Sequence, residues 1–146
     1  MPVDQSVAAG ITLLRRSAPL VRTLAGRRAA ILMPTSPAFV TALAASDGRS
    51  AVLVNPLATP QEIVHQLGDA NVGAVFTTAS LATRLPPDIP RVLLDDAPRS
   101  ALVSIGGESR TIVFHNDFPL VGQASPPDAG PVPGRWGVAP PALRLG

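Results

Sequence analysis

The sequence predicts an α/β fold in which short buried strands alternate with helices to form a partial parallel sheet. Three apolar runs, at 29–33, 51–54 and 73–77, are flanked by turn-forming or charged residues and are typical of buried strands. The segments between these runs begin with helix-capping patterns and carry apolar residues at helical spacing. Strand–helix–strand alternation with short connections favours right-handed parallel crossovers, so we expect helices to cover both faces of the sheet.

Two helices are predicted before the first strand. Val7, Ile11 and Leu14 recur at i, i+4 and i+7, which predicts that they share one apolar face of the first helix. Pro19 ends that helix or begins the next one, because Pro is tolerated at the first helical position but not inside a helix. The second helix is short and stops at Gly26.

Two later helices begin at capping patterns. Ser36-Pro37 combines an N-cap with Pro at the first helical position. The segment 59–62, Thr-Pro-Gln-Glu, predicts a capping box, in which the Thr side chain caps the helix and the Glu side chain reaches back. The apolar faces that follow consist of Phe39, Val40, Leu43 and Ala44 in one helix and of Ile63, Leu67 and Ala70 in the other. A short helix over 79–85, a strand over 91–94 and one or two strands within 101–114 complete the predicted fold.

The sequence changes in character near residue 115. The chain contains 17 Pro and 12 Gly, and their density after this point is too high for a helix or a strand ladder. We therefore predict that 1–114 forms a partial N-terminal subdomain and that 115–146 is a Pro/Gly-rich disordered tail. A natural extension and a frameshifted or truncated reading frame explain this tail equally well.

Composition excludes several classes of function. All 12 basic residues are Arg, so the pI of about 11.0 reflects the absence of Lys and Tyr rather than a basic surface, and the net charge is only +2. Because the Arg residues are dispersed and aromatics make up 3% of the chain, we expect no nucleic-acid partner. The absence of Cys and Lys excludes thiolate metal sites, Schiff bases and a P-loop. No apolar stretch is long enough for a membrane span, which predicts a soluble cytoplasmic protein.

The residues that could carry chemistry are few and scattered. His65 is predicted on the outer side of a helix, and His115-Asn116-Asp117 is more typical of a turn than of a catalytic pair. Asp95-Asp96 follows a strand, where a ligand for Mg²⁺ or ribose would be placed, but a solvated strand exit is the simpler interpretation. Arg27-Arg28 is interpreted as a solvated pair rather than an anion-steering one, and Trp136 as a partner anchor or a chance residue. No nucleophile, base and oxyanion donors can be combined from these residues, so we predict no catalytic and no metal-binding residue.

The segment 26–45, GRRAAILMPTSPAFVTALAA, resembles the early region of AMP-forming adenylating enzymes, the superfamily of acyl-CoA synthetases, luciferases and adenylation domains. The segment 48–67, GRSAVLVNPLATPQEIVHQL, is similar to the strand, Asn-Pro and helix that follow in that family. The register holds without gaps over 26–85. Thr35 and Ala38 replace a frequent Asn and a frequent Glu, which are loop and surface changes.

The resemblance implies an origin as the N-terminal part of an acyl-CoA-synthetase-like ligase. An intact relative would use ATP, Mg²⁺ and CoA to convert a carboxylate to an acyl-adenylate and then to a thioester. The family's phosphate loop, nucleotide-binding motifs and catalytic Lys have no counterpart in 86–146, so no functional residue transfers to this sequence. We expect a chain that is inactive by itself and that exposes apolar surface to a partner, which would be the remainder of the ligase domain or a complementing subunit. The alternative is a non-catalytic module that binds a partner protein.

Overall fold

A computed structural model describes residues 3–46, 50–95 and 99–114. The helices are α1 (Val3–Arg16), α2 (Ala18–Leu24), α3 (Pro37–Ala45), α4 (Pro60–Asp69) and α5 (Ala79–Ala82). The strands are β1 (Arg28–Leu32), β2 (Ala51–Leu53), β3 (Val72–Thr77), β4 (Arg91–Leu94), β5 (Ser100–Ile105) and β6 (Glu108–Val113). The α/β class predicted from the sequence is confirmed, whereas the predicted tail, 115–146, lies outside the described residues.

The strands form one six-stranded sheet in the order β2-β1-β3-β4-β5-β6. The first four strands along the chain pair in parallel, as predicted. β5 and β6 extend the sheet in antiparallel fashion; one or two strands were expected within 101–114, and two are present. Gly106 and Gly107 join them with φ angles of 61° and 86°. Two successive positive φ angles match the right-handed twist of a hairpin, which explains why two glycines occupy this turn.

Helix α4 covers one face of the sheet and agrees with its prediction. The Thr59 Oγ1 atom accepts a hydrogen bond from the Glu62 amide at 3.2 Å, and Glu62 Oε1 accepts one from the Thr59 amide at 2.8 Å, which is a complete capping box. Ile63 and Leu67 are buried, and Ala70 is partly buried beside them. The apolar cluster around them contains Ala30, Leu32, Val54, Ala58, Val72, Val75 and Leu85. Local capping and apolar spacing are therefore sufficient to specify this helix.

Helices α1 and α3 pack against each other through small residues, so the apolar faces predicted for them are wrong. The buried residues are Ser6, Ala8, Ala9, Gly10, Thr12 and Leu13 in α1 and Ala38, Thr41, Ala42 and Ala45 in α3. Ala38, expected in a loop or at the surface, is therefore a core residue. Of the predicted face residues, Ile11 and Leu43 are exposed, and Val7, Leu14, Phe39, Val40 and Ala44 are only half-buried. A Cβ atom added at Gly10 would lie 2.5 Å from the Thr41 carbonyl oxygen. The two backbones approach closely at Gly10, which leaves room only for small side chains there, whereas Leu13 is fully buried and Ile11 and Leu43 point outward.

Helix α2 starts where Pro19 allows a helix to start. Ser17 is its N-cap, and the Ser17 Oγ atom accepts a hydrogen bond from the Leu20 amide at 3.2 Å. Pro19 lies in the first turn, where a missing amide hydrogen costs nothing, so the second of the two predicted alternatives is correct. Within the described ranges, no helix combines the length and the apolar content that crossing a bilayer requires.

Candidate functional site at the carboxyl edge of the sheet

The carboxyl ends of the four parallel strands lie on the same side of the sheet. We call this side the carboxyl edge, as distinct from the lateral edges formed by the outermost strands β2 and β6. Strand β1 has β2 on one side and β3 on the other, so the chain changes direction across the sheet between β1 and β3. Open α/β sheets bind their ligands in the crevice at such a switch point. The loop 33–36 after β1 and Thr78 after β3 border this position. The topology therefore identifies these loops as the first place to look for a binding site.

The hydroxyl groups at this edge are used by the fold itself. The Ser36 Oγ atom caps α3 by accepting a hydrogen bond from the Phe39 amide at 3.3 Å. Thr78 Oγ1 caps α5 in the same way, with the Leu81 amide at 3.3 Å. The neighbouring Thr77 is buried, and its Oγ1 atom donates a hydrogen bond to a backbone carbonyl of β1 at 2.7 Å. These three groups stabilise two helix starts and the end of a strand, although a capping hydroxyl that accepts a hydrogen bond keeps its own O–H donor.

A rigid turn follows β2 at the same edge. The Leu57 amide donates to the Asn55 Oδ1 atom at 2.8 Å, and the Ala58 amide donates to the Asn55 carbonyl oxygen at 2.9 Å. Arg84 adds a side-chain brace, because its Nη1 atom donates to the carbonyl oxygens of Pro56 at 2.7 Å and Ala58 at 3.2 Å. Sequence reasoning missed Arg84, since a contact across 26 to 28 residues leaves no local signal.

The structure disperses the residues that the sequence singled out. His65 lies on the outside of α4, as predicted, and its Nε2 atom is 3.1 Å from Asp69 Oδ2, with side-chain exposures of 78% and 71%. Asp95 is exposed after β4, and Arg27 and Arg28 are exposed before and at the start of β1, at the opposite end of that strand. His115-Asn116-Asp117, Asp96 and Trp136 lie outside the described residues. The candidates that are described therefore do not form one site.

The described residues offer few of the groups that bind Mg²⁺ or phosphate. In the described ranges, no three His, Asp or Glu side chains converge where they could hold a metal ion. The sequence contains no Lys to neutralise the phosphates of ATP. The Ser36, Thr77 and Thr78 side chains at the switch point bond backbone groups of the fold.

Comparison with known proteins gives one informative match. No family model matches the chain. The chain is 43% identical over 76 residues to "4-coumarate--CoA ligase-like 4" of Oryza sativa subsp. japonica. This partial match suggests a relation of the matched part to AMP-forming ligases. The match includes 49% of this chain but only 14% of the ligase-like protein, so the chain corresponds to a small part of that relative's length. The resemblance found in the sequence is thus supported over a segment of the chain.

Proposed function

We propose that this chain is the N-terminal, scaffold-forming part of an AMP-forming ligase of the acyl-CoA synthetase type. The observation that carries the proposal is the 43% identity over 76 residues to a CoA ligase-like protein. The α/β sheet supports it, because the repeated strand–helix units follow the segments that resemble the family. In this proposal the chain supplies one layer of an adenylation domain, and the groups that bind ATP, Mg²⁺ and CoA belong to the rest of that domain.

The proposal includes the inactivity of the isolated chain. Activation of a carboxylate by ATP develops negative charge on phosphate oxygens, which cationic side chains, metal ions and backbone amides must neutralise. The sequence has no Lys, and in the described ranges no three His, Asp or Glu side chains are placed to hold a metal ion. A cytoplasmic location stays a prediction.

A pyrophosphate-release assay tests this function. The purified chain is incubated with MgATP, CoA and a panel of aromatic and aliphatic carboxylic acids, alone and together with the remaining part of a related ligase expressed separately. We expect no pyrophosphate from the chain alone and acid-dependent release from the combined parts. A truncated ligase without this N-terminal segment is the matched control and should be inactive by itself. Release by the isolated chain would disprove the proposal.

A second candidate function, a non-catalytic subunit that binds a partner protein, is favoured by the exposed apolar side chains. The large apolar residues that are exposed in the described part are Val3, Ile11, Val21, Leu43, Leu53, Leu57, Val64 and Val113. Exposed apolar surface that clusters marks an interaction site or an aggregation liability. The neighbouring reading frames distinguish the two functions: a separate gene with the missing ligase motifs supports a split enzyme, and co-purification with its product tests it.

A further inference from the structure

Strand β2 forms an open edge of the sheet. It pairs with β1 alone, and no other strand in the described part of the chain borders its far side. The Val54 amide donates a hydrogen bond to the Ile31 carbonyl oxygen at 2.9 Å. Because successive residues of a strand direct their backbone groups to opposite sides, the N–H and C=O of Leu53 point away from β1. The edge therefore presents a backbone donor and acceptor to a further strand.

The two edges of the sheet differ in the way they are protected. Strand β6, at the other edge, carries the exposed charged residues Glu108 and Arg110. Charged side chains are a common means of preventing edge-to-edge association. The segment 50–61, which contains β2 and the turn after it, has no charged residue. In the described part of the chain, charged residues protect the β6 edge, whereas at β2 the protection is limited to the shortness of the three-residue strand.

Two exposed leucines give the β2 edge an apolar surface that a partner could bury. Leu53 is 59% exposed, and Leu57 is 84% exposed, the highest value among the large apolar residues described. Leu57 lies in the turn that Asn55 and Arg84 fix by hydrogen bonds. A fixed turn loses little conformational entropy when its side chain is buried by a partner. Leu57 is thus a preorganised apolar anchor beside an open strand.

We propose that the β2 edge binds a second copy of this chain through antiparallel pairing of the two β2 strands. A two-fold interface places each residue of its centre against the same residue of the other copy, so any charge there would face a like charge. The uncharged 50–61 segment meets this condition. The two Leu53 residues exchange N–H to C=O hydrogen bonds across the axis, and the two sheets join into one. The net charge of +2 on 146 residues gives only weak repulsion between copies.

The oligomeric state of the full chain tests this inference, which does not depend on the proposed ligase function. Light scattering coupled to size exclusion, over a hundredfold range of concentration, should give twice the 15.0 kDa monomer mass at the upper end. Leu53→Arg places two cations on the axis and should raise the dimer dissociation constant at least tenfold. Leu57→Asp should act in the same direction. Val113→Arg, a similar change of an exposed apolar residue at the β6 edge, is the matched control and should leave dimerisation unchanged.

A variant that changes the backbone distinguishes strand pairing from nonspecific association of apolar side chains. Leu53→Pro removes the outward N–H, which edge strands tolerate, and should also abolish the dimer. Circular dichroism and thermal melting establish that each variant remains folded. If Leu53→Pro does not fold, Leu53→Arg provides the test of the dimer. A monomeric wild type at all concentrations would overturn the inference. So would equal dissociation by Val113→Arg, or a dimer that resists all Leu53 and Leu57 variants.

Discussion

The Oγ1 atom of Thr77 donates a 2.7 Å hydrogen bond to the carbonyl oxygen of Leu32, which joins the ends of β3 and β1 across 45 residues. The two residues are register partners in the parallel pair, and both are buried. The bond lies where the backbone ladder between the strands ends. A threonine side chain thus continues strand pairing into the switch point of the sheet.

Replacement of Thr77 by Val should lower the free energy of unfolding by about 1 kcal/mol, because it deletes this buried hydrogen bond while preserving the shape of the side chain. Chemical denaturation followed by circular dichroism measures the change. Thr77→Ser keeps the hydroxyl group and is the control for the hydrogen bond, although it removes a methyl group. Equal stability of Thr77→Val and the wild type would contradict the assignment.

Two helix glycines, Gly10 in α1 and Gly68 in α4, should respond in opposite ways to replacement by Ala, because only Gly10 lies in the close contact between α1 and α3. Gly10→Ala should destabilise the fold by about 1–3 kcal/mol, because the new Cβ would meet the Thr41 carbonyl oxygen at 2.5 Å and the Ala44 Cβ at 2.6 Å. Gly68→Ala, in helix α4, meets nothing within 4 Å and should stabilise by about 0.5–1 kcal/mol. Thermal unfolding of both variants measures the contrast. A stabilising Gly10→Ala would show that the helices do not approach as described.

The capping box of α4 predicts the response of Thr59. Thr59→Ala removes the acceptor for the Glu62 amide and should cost about 1 kcal/mol of stability. Glu62→Gln keeps a side-chain oxygen for the Thr59 amide and should cost less. Denaturation curves of the two variants provide the comparison, and a larger loss for Glu62→Gln would argue against the box.

The exposed pair of His65 and Asp69 should contribute little. Because both side chains are largely solvated, His65→Ala should change the free energy of unfolding by less than about 0.5 kcal/mol. Denaturation at low and high salt tests this. A loss of 2 kcal/mol or more would reveal a structural role for His65 that its surroundings do not suggest.

Sequence patterns that span a few residues were sufficient to predict most helices and strands. The faces by which α1 and α3 pack depend on contacts between residues far apart in the chain, and these were not predicted. The capping box and the Ile63–Leu67 spacing were sufficient for α4, because they act within one helix. The faces of α1 and α3 were mispredicted, because close packing at Gly10 selects small residues there and leaves Ile11 and Leu43 exposed. Apolar spacing alone does not distinguish a helix face that contacts the core from one that stays open to solvent.

In the candidate site, too, the features that depend on local sequence were predicted and those that depend on long-range contacts were not. The position of the carboxyl edge was implicit in the predicted strand–helix alternation, and the outward location of His65 was predicted from its helix. The roles of Arg84 and Arg91 were not predictable. Arg84 donates to backbone carbonyls of the turn after β2. Arg91, which starts β4 outside the candidate site, donates to the carbonyl oxygens of Ala82 at the end of α5 and of Pro86 and Ile89 in the loop that follows. Such contacts depend on the folded loops and leave no pattern in the sequence.

Four helices begin at hydroxyl side chains, namely Ser17, Ser36, Thr59 and Thr78. A carboxylate at these positions would lose its capping strength on protonation in acid, whereas an alcohol does not ionise over the accessible pH range. The caps that these four side chains supply are therefore independent of protonation.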